Sequence, residues 1–149
     1  MHDKHGMSLI VKTVTRIMVW IILVYGMYIV LHGHLTPGGG FGGGVILALA
    51  FLSVMLAYGK KYTATWLNVD FLHEYEASAI LLFLIVGILG IALGGAFLMN
   101  FLDRGSLFHL LSAGTMPLLN IFIGIKVSVS LFLVIWTLSE LHLEKGEGS

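Results

Sequence analysis

Residues Ile17–Leu31 read IMVWIILVYGMYIVL, fifteen consecutive positions without a charged side chain. Extended back to Leu9, this segment reaches the ~20 residues that a helix rising 1.5 Å per residue needs to cross a ~30 Å hydrocarbon layer. Three more segments have comparable length and character: Phe41–Tyr58, Ala77–Met99 and Leu118–Leu138. The composition agrees with them. Of 149 residues 58% are hydrophobic and 11% charged, with a mean hydropathy of +0.98, against roughly 45–50% and 25% in soluble domains. A small globule lacks the polar side chains to cover that much apolar surface, so lipid must act as solvent. The expected fold is an all-α integral membrane protein, one domain over residues 1–149, with four spans at about 9–31, 41–58, 77–99 and 118–138.

The same arithmetic excludes a disordered regulator and a nucleic-acid binder, because eight basic and eight acidic residues leave no net field. With no cysteine in the chain, disulfides, thiolate metal sites and cysteine nucleophiles are ruled out. Lys4, Lys12 and Arg16 before the first apolar run imitate a signal peptide. HGHLTPGGG follows without an A-x-A-like cleavage site, so this segment is read as a retained helix. An even number of spans puts both termini and the middle connector on one side. That side carries Lys4, Lys12, Arg16, Lys60, Lys61 and Lys145, and the other Arg104, so both termini are expected in the cytoplasm. The expected location is the plasma membrane, crossed several times.

Thr36-Pro37-Gly38-Gly39-Gly40-Phe41-Gly42-Gly43-Gly44 opens the second span. A G-x-G-x-x-G spacing is present, but a dinucleotide site needs a preceding strand and an acid about 20 residues later. Neither is here, and no Walker Lys-Ser/Thr pair follows. Thr36 is suited to cap a helix and Pro37 to its first turn. The glycines permit close approach, and part of the neighbour they approach is expected to be another subunit. Gly87, Gly90 and Gly94 fall on one face of the third expected span, and Gly90-x-x-x-Gly94 has the spacing that brings membrane helices together.

Lys126 is the one formally charged side chain deep in a span, the ninth of the residues Leu118–Leu138. It lies too far in for full snorkelling, and an unpaired ammonium there costs at least ~2.5–3.5 kcal/mol. The spans contain no Asp or Glu. Ser130 shares the helix face of Lys126, whereas Asn120 points away by about 120°. Deprotonation, water, helix carbonyls or a carboxylate of a different polypeptide are the available compensations. A structural interhelical role and a role in an ion path both remain open. Glu74 and Glu76 are either solvated or paired with Lys60 and Lys61. His32, His34, His73, His109 and His142 read as interfacial hydrogen-bonding residues, and two histidines in H-x-H do not complete a metal site. Trp20, Trp66, Trp136, Tyr58, Tyr62 and Tyr75 read as interfacial anchors.

Thr13-Val14-Thr15-Arg16, the helix after it, and Gly33-His34-Leu35-Thr36-Pro37-Gly38-Gly39-Gly40-Phe41-Gly42-Gly43-Gly44 resemble the MnhB family, small membrane subunits of the multisubunit Mrp-type cation/proton antiporters. The resemblance extends over essentially the whole chain, its later spans matching mainly in hydropathy and length. It implies a small, non-catalytic subunit without cofactor or metal, assembled with larger membrane subunits that move H+ or Na+. Relatives of this kind also occur in membrane-bound respiratory complexes, including energy-converting hydrogenases and sulfur-reducing complexes. Pro37, Gly38, Gly39, Gly40, Phe41, Gly43 and Gly44 carry the motif over. Lys126 stands where bacterial antiporter subunits are expected to have an uncharged residue, which favours the respiratory branch. The expected role is to help form or seal an ion path, with Lys126 and Asn120 as candidate intramembrane groups. The rival readings are a subunit of a stand-alone Na+/H+ antiporter and a purely architectural helix-packing subunit.

Overall fold

The computed structural model describes residues 7–35, 37–102 and 113–147. Lys4, Thr36, Arg104 and His109 lie outside the described residues, as do the side chains of His142 and Lys145. Every regular element among the described residues is a helix: α1 (Leu9–Leu31), α2 (Gly39–Tyr58), α3 (Lys60–Trp66), α4 (Val69–Ala92) and α5 (Met116–Glu147). Four of them, all except the short α3, are long and apolar enough to cross a bilayer. α1, α2 and α5 pack as a group, and α4 lies against α5.

The two ends of the bundle differ in chemistry. At one end Tyr58 Oη donates to the Lys12 carbonyl at 3.1 Å, which ties the start of α1 to the close of α2. Lys60 Nζ meets Glu140 at 3.0 Å, so α5 finishes there too. Both termini of the described chain and the α2–α4 connector therefore share this basic end. A cluster of Leu52, Met55, Phe132 and Trp136, flanked by Leu67, Val69 and Leu72, forms the larger-residue core beneath it. Trp136 is 5% exposed and belongs to that core, not to the interfacial belt where the sequence placed it. Its ring covers the stem of Lys60, whose Nζ is 4.5 Å from the ring centroid.

At the other end the core is backbone against backbone. α2 begins after Gly38, whose φ of +111° is costly for any other residue. A Cβ on Gly43 would lie 2.8 Å from the Val30 nitrogen and 3.0 Å from the Gly26 carbonyl oxygen on α1. One on Gly44 would lie 2.8 Å from the Gly124 carbonyl oxygen on α5. Gly40 abuts the backbone of Asn120 still more closely. The glycine stretch thus packs against its own chain on two sides, while a Cβ on Gly42 would meet nothing within 4 Å.

The third span departs most from expectation. α4 covers Val69–Ala92 and not Ala77–Met99. It starts earlier because Asn68 caps it, its Oδ1 accepting from the Asp70 nitrogen at 3.0 Å. It stops earlier because Gly94 takes φ +84° and the chain reverses. Gly95 N then donates to Gly90 O at 3.1 Å, and Leu98 N to Gly87 O at 3.3 Å. A Cβ on Gly90 would stand 2.8 Å from the Ala96 carbonyl oxygen, and Phe97 lies across Gly87. Gly87 and Gly90 therefore receive the chain's own return segment, and Gly94 makes the turn instead of sharing their helix face. Non-helical backbone in a membrane is stable where protein supplies its partners, as this segment's hydrogen bonds do. Asn100 completes the return: its Oδ1 accepts from Thr115 N at 3.0 Å and its Nδ2 donates to the Ala113 carbonyl at 3.2 Å.

The close packing makes a sharp distinction among neighbouring glycines. Gly44→Ala is expected to destabilise the detergent-solubilised protein by about 1–3 kcal/mol through overpacking. Gly42, with nothing within 4 Å of an added Cβ, is expected to accept Ala neutrally or with a gain of up to ~1 kcal/mol from helix propensity. Thermal unfolding followed by circular dichroism measures both.

Candidate functional site: an ion pair between two spans

Lys126 is compensated from within its own chain. Its Nζ lies 3.7 Å from Glu76 Oε1, and Ser130 donates its hydroxyl to the same carboxylate oxygen. Ser130 is one helical turn from Lys126 on α5, so both reach the face that α4 covers. Glu76 is the last acid of α4 before the uncharged run Ala77–Ala92. Helices α4 and α5 run antiparallel, and their register sets this acid level with the lysine. A carboxylate of the same chain was not among the compensations the sequence offered for Lys126, and Glu76 takes neither of its two expected states, solvated or paired with Lys60 or Lys61. Lys60 instead joins Glu140 and donates to the Trp136 carbonyl at 3.3 Å.

The pair is only part-enclosed. The side chain of Glu76 is 25% exposed and that of Lys126 40%. At 3.7 Å the ammonium is near the outer limit of an ion pair, and its remaining N–H groups need further acceptors. It stands beside a shallow groove of about 170 Å³ whose walls include Ala79, Phe83 and Phe122. Apolar walls raise the strength of any electrostatic interaction formed there, and equally the cost of leaving the charge unmatched.

Asn120 is not brought to Lys126. It faces the glycine end, where a Cβ on Gly33 would lie 2.8 Å from its Nδ2 and one on Gly39 3.5 Å from its Oδ1. Pro37 and Phe41 are exposed on the outer side of the same turn, Phe41 by 65%. His34, in the connector between α1 and α2, buries both ring nitrogens without a hydrogen-bond partner. The sequence-derived candidates thus divide into two places: Lys126 between α4 and α5, and the motif with Asn120 at the glycine end. Glu76 was missed as a partner because it precedes the apolar run expected to be the third span. Its signal was its place as the last acid, directly before that run.

Residues 10–133 match the family described as "Domain related to MnhB subunit of Na+/H+ antiporter". The chain belongs to the MnhB family. This MnhB chain is 35% identical over 136 residues to an uncharacterized protein of Methanocaldococcus jannaschii, covering 87% of this chain and 52% of that protein. It is 35% identical over 98 residues to a Na(+)/H(+) antiporter subunit of Bacillus subtilis, covering 66% of this chain and 68% of that one. Among solved structures it resembles a chain of the membrane-bound sulfane sulfur reductase, an archaeal respiratory membrane complex. The TM-score there is 0.75 with 34% identity, over 90% of this chain and 59% of that one. The MnhB chain therefore spans about half to three fifths of the length of these two archaeal relatives. It is a multi-pass membrane protein.

Removing one member of the pair leaves the other charge unmatched. Glu76→Gln and Lys126→Met are each expected to lower thermal stability, and the double substitution to recover much of the loss. A double-mutant cycle is expected to give a coupling of ~0.5–3 kcal/mol, and a coupling of zero would dissolve the pair.

Proposed function

We propose that this MnhB chain is a non-catalytic subunit of an Mrp-type cation/proton antiporter module, housed in a membrane-bound respiratory complex. Its own contribution is to present Glu76, Lys126 and Ser130 to a partner subunit as one polar step in an ion route. The ion pair between α4 and α5 is the observation that carries this reading. A purely structural pair has no need of an opening, whereas this lysine keeps 40% of its side chain accessible beside an apolar groove. Intramembrane ionisable groups that face a cavity or a partner serve as ion and proton relays. The resemblance to a respiratory-complex chain over 90% of this sequence favours that setting over a stand-alone antiporter. An energy-converting hydrogenase module is one such setting.

The outward faces support assembly with other membrane subunits. Trp20, Val24 and Tyr25 on α1, and Leu81, Ile88 and Ile91 on α4, are exposed. Lipid covers such a surface as readily as protein does. The glycine end adds a more specific requirement, since the buried nitrogens of His34 lack a partner and a buried polar group is costly unless hydrogen-bonded. The complementary donor or acceptor belongs to a neighbouring subunit or to water held between subunits.

The test is transport by the assembled complex in sealed vesicles. Lys126→Met is expected to reduce coupled Na+ or H+ movement by about tenfold or more, the effect of losing ~1.4 kcal/mol from a barrier, while subunit recovery on purification stays unchanged. Loss of the complex before any transport is measured would instead support the architectural reading. Unchanged transport would remove Lys126 from the route.

A further inference from the structure

A second site lies at the basic end, away from the ion pair. Helices α1, α2 and α3 together border a cavity there of about 390 Å³, within the ~300–1,000 Å³ typical of ligand pockets. Arg16, Trp20 and Leu23 line it from α1, Phe51 from α2, and Tyr62 and Trp66 from α3. One wall is a stack of rings. Tyr58 and Tyr62 lie 4.9 Å apart at 24°, and Tyr62 and Trp66 lie 6.3 Å apart at 29°. The wall is held in place from below by Thr63, which is 1% exposed and donates its hydroxyl to the Gly59 carbonyl at 3.1 Å.

The charges of this region are unevenly matched. Glu140 occupies Lys60, and Glu76 occupies Lys126. Among the described residues Arg16 has neither an ion pair nor a hydrogen bond from its guanidinium. Asp70 and Glu74 belong to α4, which packs on α5. Among the described residues, then, no acid meets the guanidinium at the interfacial end of this apolar cavity. From Arg16 to Leu23 the lining descends seven residues of α1, about 10 Å toward the membrane interior.

We propose that this cavity binds an anionic glycerophospholipid. Its phosphate is held by Arg16, and an acyl chain lies along Leu23 and Phe51 beneath the Tyr62–Trp66 wall. The occupant must be anionic at one end and apolar along its length, in the order the lining sets. A planar guanidinium forms paired hydrogen bonds to phosphate oxygens, and basic pockets between membrane helices recognise anionic headgroups. Tyr and Trp rings suit the boundary between headgroup and chain. A helix of a neighbouring subunit would fill the apolar part equally well, but would have to bring a carboxylate of its own into the membrane to match Arg16, whereas an anionic lipid carries its charge already at the interface.

The experiment is native mass spectrometry of the delipidated complex, titrated with phosphatidylglycerol or phosphatidylcholine of identical acyl chains. Phosphatidylglycerol is expected to be retained several-fold better. Arg16→Gln is expected to remove most of that several-fold preference, as loss of a charge-assisted hydrogen bond does. Leu23→Trp, which fills the cavity and leaves the charge, is expected to weaken retention of both lipids. Each variant is read as lipid retained per intact complex, for each of the two lipids, so a change in yield does not enter. Equal retention of the two lipids, or an unchanged preference in Arg16→Gln, overturns the proposal. Displacement by inorganic phosphate alone overturns it in favour of a free-anion site. A photoreactive group at position 23 that captures a protein neighbour and not a lipid overturns it in favour of a protein occupant.

Discussion

Helices dissolved in lipid gain nothing from hiding apolar side chains from one another, because the surrounding hydrocarbon is equally apolar. They associate through close van der Waals contact and polar links. In this MnhB chain the first of these is concentrated at one end of α2. Gly40, Gly43 and Gly44 let the backbones of α1 and α5 approach to distances at which any Cβ would collide. The α1–α2–α5 group rests on that contact. Gly124 on α5 completes it, since a Cβ there would meet Val30 of α1 at 2.8 Å.

Polar links then fix what close packing leaves undetermined. Helices with smooth apolar faces slide and rotate against one another at little cost. A carboxylate and an ammonium on facing helices remove that freedom, because every other register strands a charge in hydrocarbon. Glu76, Ser130 and Lys126 set the register of α4 on α5 in this way. Lys60, Glu140 and Trp136 do the same for the start of α3 and the later part of α5. The side chain of Asn100 ties the return segment after α4 to the turn that leads into α5. Two of the three links end on α5 and the third on the turn before it, which makes that helix the common reference of the fold.

The separation of features along the membrane normal has functional meaning. The glycine end carries the family motif, the buried and unpartnered His34, and Asn120. The middle carries the ion pair, and the basic end carries the aromatic wall with Arg16. A module that conducts an ion needs polarity within the membrane and insulation elsewhere. Here the polar groups are few and placed against apolar walls, an arrangement in which each charge has a strong effect on its surroundings.

Hydropathy, length and the glycine motif were enough to determine that this is a multi-pass membrane protein of MnhB character, with four helices among the described residues long and apolar enough to cross a bilayer, because span existence depends on summed transfer energies along a local stretch. The deep lysine and its need for compensation were legible for the same reason. The end of α4 was not, since Gly94 and Gly95 are as compatible with a continued apolar helix as with a turn, and only the return hydrogen bonds to Gly87 and Gly90 distinguish the two. The partner of Lys126 was decided by the antiparallel register of α4 and α5, which depends on contacts between segments remote in the chain. Trp136 likewise reads as an anchor by type and becomes core by packing. Local energetics are additive along a sequence, whereas the identity of a neighbour is a property of the assembled helices.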